Sequence, residues 1–533
     1  MSTNTTNVLM VFPRFSPNSF WNYWETCAVA GKKYSAAPLG MITVAALLPS
    51  EWPVRLVDRN IEELHDGDLD WADMVMIGNM MPQQEDAKRV IALAHARNKP
   101  VVLGGPDVSC SPEIFEEVEF RLLGEVEEIM SDFLAAWRRG DKRGLFTAKT
   151  FPDIHKSPVP RFDLLKFQHY MHVGVQYSRG CPFNCEFCNV IELNGRVPRL
   201  KTTEQVLREL DALHALGYRG HVDVVDDNFI GNPKTVRPFL ERLGDWNEAK
   251  GRPFAFSAEA SLNLADSDET LALMRQAGFF AVFVGIETPD PETLVSVNKK
   301  QNTGRDLKES IHKIYQAGIF VNAGFIIGFD AEKDSVAEAM IHCIEDMAIP
   351  VCMVGLLYAL PNTQLSRRLQ QEGRLHPETC AVGSEDMACQ CTAGLNYETL
   401  RPREKILEDY RAVLKSIYHP TNYFGRVRRA ARILEPRPDR LRNVIPGLGS
   451  DLRSFARISW RLGVRDREVR GAYWKALGDC IRHNPSALKL VVSFAALYLH
   501  LWPFTRYMDD QLRGKVEYLP LVELGLPAKV ARG

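Results

Sequence analysis

Tyr177-Ser178-Arg179-Gly180-Cys181-Pro182-Phe183-Asn184-Cys185-Glu186-Phe187-Cys188 carries three thiols at CxxxCxxC spacing, just after the apolar run Val173-Gly174-Val175. Three thiolates so close in sequence can wrap one face of a cubane iron–sulfur cluster, whose full complement is four protein ligands. One iron is then left free to chelate a small molecule and pass an electron into it. A zinc knuckle is the competing reading. Zinc usually takes a fourth Cys or His nearby, and none lies between His172 and the motif or soon after it.

Outward from this loop, six apolar runs alternate with helical intervals: VGVQYS, HVDVVDD, FAFSAEA, AVFVGIE, FVNAGFIIGF and VCMVGLL. Six strand–helix repeats predict a parallel barrel, closed or partial, with its chemistry at the carboxyl ends of the strands. The thiol loop leaves the first strand. Upstream, NVLMVF, VRLVD, MVMIG and PVVLGG alternate with helix-like stretches and predict an open, doubly wound Rossmann-like sheet. Ligands of such sheets bind where the strands end, at Pro13, Arg14, Asn79, Met80, Gly104, Gly105, Gly124 and Glu125. Prolines 152, 158 and 160 mark a crossing between the two units. The expected division is 1–145, a linker over 146–170, a barrel over 171–400 and a helical region over 401–533. In this last region apolar residues keep helical spacing and convincing strands are absent.

A chain of 533 residues, 45% hydrophobic and 25% charged, is long enough for two to four self-supporting domains. That excludes disorder, collagen-like repeats and a disulfide scaffold. Eleven cysteines, an odd and sparse set, fit a reducing cytosolic setting. MSTNTTNVLMVF lacks the charged and apolar regions of a secretion signal, so the protein is expected to begin at or near Met1. The net charge of -2 gives no global field, but it conceals an asymmetry. Residues 401–533 hold 26 Lys+Arg against 13 Asp+Glu, and the first 400 hold 39 against 54. The basic tail contains Leu490 to Phe504, an apolar run too short for a spanning segment. Two readings stay open for that run, a core helix or a contact with the membrane surface. Cys389 and Cys391 form a CxC without a nearby His, a weak metal signal.

CxxxCxFC at the head of a six-strand barrel resembles the radical S-adenosylmethionine (SAM) superfamily. The resemblance makes Cys181, Cys185 and Cys188 ligands of a [4Fe-4S] cluster whose fourth iron binds SAM. Reduction then yields a 5′-deoxyadenosyl radical. It also implies SAM contacts at Phe187, at Asp226, Asp227 and Asn228, at Glu259, at Glu287, and at Ile327 within GFIIGFD. A doubly wound domain before such a barrel is the layout of the cobalamin-dependent members. There the loop Leu103 to Ser109, LGGPDVS, would cradle the nucleotide tail, with Ser109 at its end. DxHxxG, whose His binds cobalt from below in classical cobalamin domains, is absent from the sequence, so cobalamin is expected to bind without a His ligand.

GCPFNCEFCNV, LNGRVPRLKT, VDDNFIGN, FVGIETPD and YALPNTQL make the chain similar to the group containing the hopanoid C-2 methylase. The resemblance implies a C-methyltransferase that uses methylcobalamin and the radical to methylate an unactivated carbon of a hydrophobic polycyclic lipid. A flavodoxin- or ferredoxin-like protein would donate the electron. The setting would be cytoplasmic, with peripheral contact at the inner face of the membrane through the basic tail. Alternatives are an oxidoreductase or cyclase acting on a tetrapyrrole without methyl transfer, and a non-catalytic cobalamin-binding sensor. Nucleic acid is not expected as a partner. The tRNA-modifying methylthiotransferases of the superfamily carry three N-terminal Cys, whereas here there are only Cys27 and Cys110.

Overall fold

The computed structural model describes residues 5–523 apart from 17–18, 21, 377–393 and 436–447, and it leaves out the side chains of 448–451 and 514–523. Cys380, Cys389 and Cys391 thus lie outside the described residues. The first sheet is parallel. Its strands are β1 (Val8–Phe12), β3 (Val54–Asp58), β4 (Met74–Gly78), β5 (Val101–Gly104), β6 (Phe120–Leu123) and β7 (Gly144–Thr147), in the order β3-β1-β4-β5-β6-β7. Strands such as VLMVF and MVMIG are apolar on both faces because each face of the sheet meets a core of its own. β7 reaches Thr147, two residues into the expected linker, and its half-exposed residues make it the sheet's edge.

The second sheet curls into a parallel half-barrel. Its six long strands are β8 (Tyr170–Val175), β11 (Gly220–Val224), β12 (Phe254–Ala260), β13 (Phe279–Glu287), β14 (Phe320–Ile327) and β15 (Cys352–Leu356). A seventh comes from far upstream: β2 (Tyr34–Ala36) pairs with β8, Tyr34 opposite Tyr170 and Ala36 opposite His172. The amphipathic stretch before Leu48 had hidden this strand, because three residues are too few to show a period. Along β11 to β14 alternate residues are fully buried against the helices, among them Val222, Phe256, Val284 and Phe325. The others, including His221, Asp223, Ser257, Glu259, Phe283, Asn322 and Ile326, share one partly open face, the barrel lumen.

A half-barrel leaves two open edges, here β15 and β2. Helices join them: α1 (Trp24–Val29), α2 (Gln364–Gln371), α3 (Arg403–Tyr418), α4 (Pro420–Ile433), α5 (Leu448–Ile458), α6 (Arg470–His483) and α7 (Leu488–Glu523). Tyr410 and Tyr418 of α3 donate to the carbonyls of Val354 and Cys352 on β15. Tyr498 of α7 donates to the Tyr418 carbonyl, Thr26 of α1 donates to the Ala496 carbonyl, and α1 packs beside β2. The change of period after residue 400 suggests a separate helical region, but one continuous apolar core runs from the barrel through Tyr410, Tyr473 and Tyr498. Arg426 of α4 is fully buried in that core, giving its guanidinium to the Ile349 carbonyl and to Glu345.

The same packing decides the role of Leu490 to Phe504. Pro485–Arg513 is long and apolar enough, by length and composition, to cross a membrane, yet half of its most apolar 18-residue stretch is buried inside the protein. Val491, Phe494, Ala495, Tyr498, Leu501 and Phe504 are all buried, with Phe494 ring to ring against Phe320 at 5.2 Å. It is a core helix.

Candidate functional site

The thiol loop is a hairpin held at its neck. Short strands β9 (Ser178–Arg179) and β10 (Arg199–Leu200) pair antiparallel across it. Asp226, at the end of β11, accepts from the Tyr177 and Ser178 amides at 2.7 and 2.8 Å and from the Ser178 hydroxyl at 2.6 Å. Asp227 accepts from the Gly180 amide at 2.7 Å and from Asn194 at 2.9 Å. Gly180 has φ +98°, and a Cβ there would sit 2.9 Å from the carbonyls of Asn194 and Gly195, so no other residue fits without strain. Burial pushes Asp226 up to about 7 despite its hydrogen bonds from Ser178 and Tyr177, and it raises Asp227 as well.

Behind the loop stands α2. Arg368 grips Glu186 at 2.5 Å, Gln364 donates to Asn184 at 2.9 Å, and the Leu365 amide donates to the Glu186 carbonyl. In front stands the segment after β13. Lys299 is buried, bonds Glu287 at 2.6 Å and faces the thiols of Cys185 and Cys188. Burial opposes its charge, but the Glu287 carboxylate beside it outweighs that and holds the ammonium charged. Gln301 donates to the Cys185 sulfur at 3.6 Å, and the buried side-chain amide oxygens of Gln301 and Asn302 have no hydrogen-bond partner. Asn228 donates to Ser261 at 3.0 Å and lies within bonding reach of the Cys181 thiol.

Burial pushes Cys188 up to about 12 and raises Cys181, so each keeps its proton until a metal displaces it. Among the described residues no group of three or more His, Cys, Asp or Glu side chains is arranged to hold a single metal ion. The three thiols, the unpartnered amide oxygens and the buried cation fit a larger cluster with a polar small molecule beside it.

Below the loop the lumen is polar. His172 and His221 lie ring to ring at 4.9 Å, His221 meets Ser257 at 2.6 Å, and Ser257 donates to Asp223. Burial lowers both histidines below their usual range. Glu259, nearer the loop on β12, is pushed by burial up to about 8, with Asp223 and Asp227 adding to the rise. The Asn322 side-chain oxygen is buried without a partner.

The carboxyl edge of the first sheet faces this loop. Arg179 pairs with Glu125 at 2.5 Å and Glu127 at 2.8 Å, Arg199 pairs with Glu125, and Asn362 donates to the Cys110 carbonyl at 3.1 Å. Gly105, at φ +106°, passes so near Asn79 that a Cβ would lie 2.6 Å from its carbonyl. Ser109 bridges this turn to the next, donating to the Gly105 carbonyl and accepting from the Gly124 amide. Met80 is 41% exposed and the Asn79 side-chain oxygen is buried without a partner, so this edge is a cradle of backbone, one apolar side chain and an open acceptor.

Residues 175–344 match the radical SAM superfamily, and 363–513 match a domain of unknown function. The chain is 38% identical to an uncharacterized methyltransferase of Synechocystis sp., over 98% of this chain and 99% of that one. It is 34% identical to the hopanoid C-2 methylase of Rhodopseudomonas palustris, over 92% of each. The chain belongs to the radical SAM methyltransferase family. As a member it is an enzyme working with a [4Fe-4S] cluster and SAM. Its fold is shared with the cobalamin-dependent SAM radical enzyme OxsB, solved with aqua-cobalamin bound, at TM-score 0.59 and 16% identity over 96% of this chain and 81% of that one.

In this radical SAM methyltransferase the structure gathers Cys181, Cys185, Cys188, Phe187, Asp227, Asn228 and Glu259 around the loop, and Asn79, Met80, Gly104, Gly105, Ser109 and Gly124 along the facing edge. Phe187 lies 5.7 Å from Phe329, ring to ring. Several expected contacts are revised. Asp226 is taken up by the Tyr177–Ser178 backbone. Glu287, at φ +69°, is committed to Lys299. Ile327 is fully buried on the helix side of β14, and its neighbour Ile326 takes the lumen position. Arg14 bonds Glu63 and the Arg59 carbonyl, and the Pro13 carbonyl accepts from Asn60 and Gln83. Glu125 is spent on Arg179 and Arg199. The sequence reading passed over Lys299, Gln301 and Asn302, whose one signal is the polar run NKKQN after the GIE strand. It also passed over Glu332, which grips the Gly328 amide at 2.9 Å through both oxygens, while Asp330 pairs with Arg374.

Proposed function

We propose that this enzyme is a cobalamin-dependent C-methyltransferase that methylates an unactivated carbon of a hydrophobic polycyclic lipid of the hopanoid class. The observation that carries the reading is the extent of the likeness to the hopanoid C-2 methylase, which runs through all three regions rather than stopping at the barrel. In the proposed site Cys181, Cys185 and Cys188 hold the cluster, while Phe187, Asp227, Asn228 and Glu259 line the SAM side. Asn79, Met80, Gly104, Gly105, Ser109 and Gly124 hold the corrin side. When bound, the cluster with SAM supplies a hydrogen-abstracting radical and the corrin supplies a methyl group, so the chain need provide no strong side-chain acid or base.

The chain's own contribution is placement and exclusion of water. Asp226, Asp227 and Gly180 set the neck of the thiol loop. Arg368 and Lys299 brace it from opposite sides, and the Glu125–Arg179 pair joins it to the cradle. Burial holds the Glu259 carboxyl up at about 8, so a cationic ligand such as SAM beside it would favour its charged form. The setting is cytoplasmic, with a flavodoxin- or ferredoxin-like electron donor and peripheral contact at the inner membrane face.

The test uses reconstituted enzyme, a reductant, hydroxocobalamin, SAM deuterated in its methyl group and a hopanoid acceptor. Labelled methylhopanoid, S-adenosylhomocysteine and 5′-deoxyadenosine are expected together, and the methylhopanoid and 5′-deoxyadenosine are expected to vanish with Cys185→Ala. Steady formation of 5′-deoxyadenosine with no label in any lipid or tetrapyrrole supplied would refute methyl transfer. Label in a tetrapyrrole alone would replace the substrate class.

A further inference from the structure

Between residues 452 and 482 there are eight Lys or Arg against three Asp or Glu. In the same stretch, α5 runs through a π-helical turn, Ser459–Arg465, toward α6. Along one side of α5 stand Leu452, 62% exposed, and Phe455. The wider π turn points Ser459 inward, where its hydroxyl meets Tyr473 at 2.7 Å, and turns Trp460 outward, 62% exposed, with Val464 beyond it. Trp474 of α6 joins this row, since its indole lies over Gly463 and donates to the Gly463 carbonyl at 2.9 Å. Ile481, two helical turns further along α6, extends the row. The opposite side, Ile458, Leu462, Val469 and Leu477, is buried in the shared core.

Exposed apolar groups of this size on one face mark a binding surface. Its occupant is indicated by what surrounds it. Arg465, Arg467, Arg470 and Lys475 are exposed beside the tryptophans, and none of them has an acidic partner within ion-pair distance among the described residues. Tryptophans with an arginine rim match the interface of an anionic bilayer, where the indole sits at headgroup depth and each cation gains about 1 kcal/mol. The first 400 residues are acidic, so an anionic surface repels the catalytic body and draws in the basic C-terminal region that carries this face.

We propose that the α5–α6 face, centred on Trp460 and Trp474, is the membrane-docking surface of this enzyme, and that α7 serves as its buried support rather than as the anchor. The surface gains its purpose from the lipid-substrate reading. Vesicle binding needs no substrate, however, so the two can fail separately.

The full chain would be floated with vesicles of phosphatidylcholine alone and of phosphatidylcholine mixed with phosphatidylglycerol. Flotation is expected only with the anionic vesicles, weakening as salt rises. Leu452→Glu with Trp460→Glu is expected to lower it about tenfold or more, with melting temperature and iron content unchanged. Replacing Arg465, Arg467 and Arg470 by Gln is expected to lower it while leaving the apolar row intact. Three results would each overturn the proposal: no flotation of the unsubstituted chain, equal flotation of the Glu variant, or a dimer in solution that Trp460→Glu splits, which would make a second copy the occupant.

Discussion

Lys299 shows how one residue couples the fold to the site. Its ammonium is buried against Glu287 and the thiols of Cys185 and Cys188, so removing it leaves a buried carboxylate without its counter-charge. Lys299→Met is expected to cost about 3–5 kcal/mol in urea unfolding. Lys299→Met combined with Glu287→Leu should recover much of that loss, because no unpaired charge remains. Glu259 sets a pH dependence. Its carboxyl is held near 8 in the fold against 4.5 for an ordinary glutamate, so between those values the unfolded chain has released a proton that the folded chain keeps. Stability from this group is therefore fully present below about 4.5 and is lost as pH rises through about 8. Asp226 and Glu332, each raised to about 7, act in the same direction. Urea midpoints are expected to fall from about pH 5 to about pH 9, and Glu259→Gln should flatten the curve. No linear pattern records the protonation state of Lys299 or Glu259, since each owes it to groups brought near from other strands.

At the scale of elements, α7 and β2 are the informative cases. α7 is long and apolar enough to cross a membrane, but it carries a buried His500 and a buried Thr505, whose polar atoms bond the Ser19 and Leu501 carbonyls. Its apolar residues answer to the barrel's open side. Phe494→Ala is expected to destabilise by about 3–5 kcal/mol, as truncation of a buried ring does. Trp460→Ala, on the exposed face, should change stability by no more than about 0.5 kcal/mol. Denaturant titration of both variants checks the contrast. The six long barrel strands were legible in sequence because each carries five or more residues between turn signals. β2 was not, because its place depends on pairing with a strand more than a hundred residues downstream.

For the whole molecule, the Glu125–Arg179–Arg199 cluster ties the first sheet to the thiol loop across the interface between the domains. Breaking it should disturb the register between the two cofactor sides more than either side alone. Glu125→Gln is therefore expected to keep most SAM cleavage while lowering labelled-methyl transfer about tenfold, a loss of about 1.4 kcal/mol in coupling. Quantifying 5′-deoxyadenosine and methylated product from the same reaction checks it. Equal losses in both would show that the cluster serves only the loop.

The sequence alone was enough for the three thiols, a six-strand parallel barrel, the doubly wound domain and the charge asymmetry, since each is written in local spacing, period or composition. Tertiary structure decided which acids are free to meet a ligand and which are spent on backbone. It also decided that Ile326 rather than Ile327 lines the lumen, and that the apolar C-terminal helix is core while a neighbouring pair of helices exposes tryptophan. These depend on burial and on partners distant in the chain, and a linear pattern records neither.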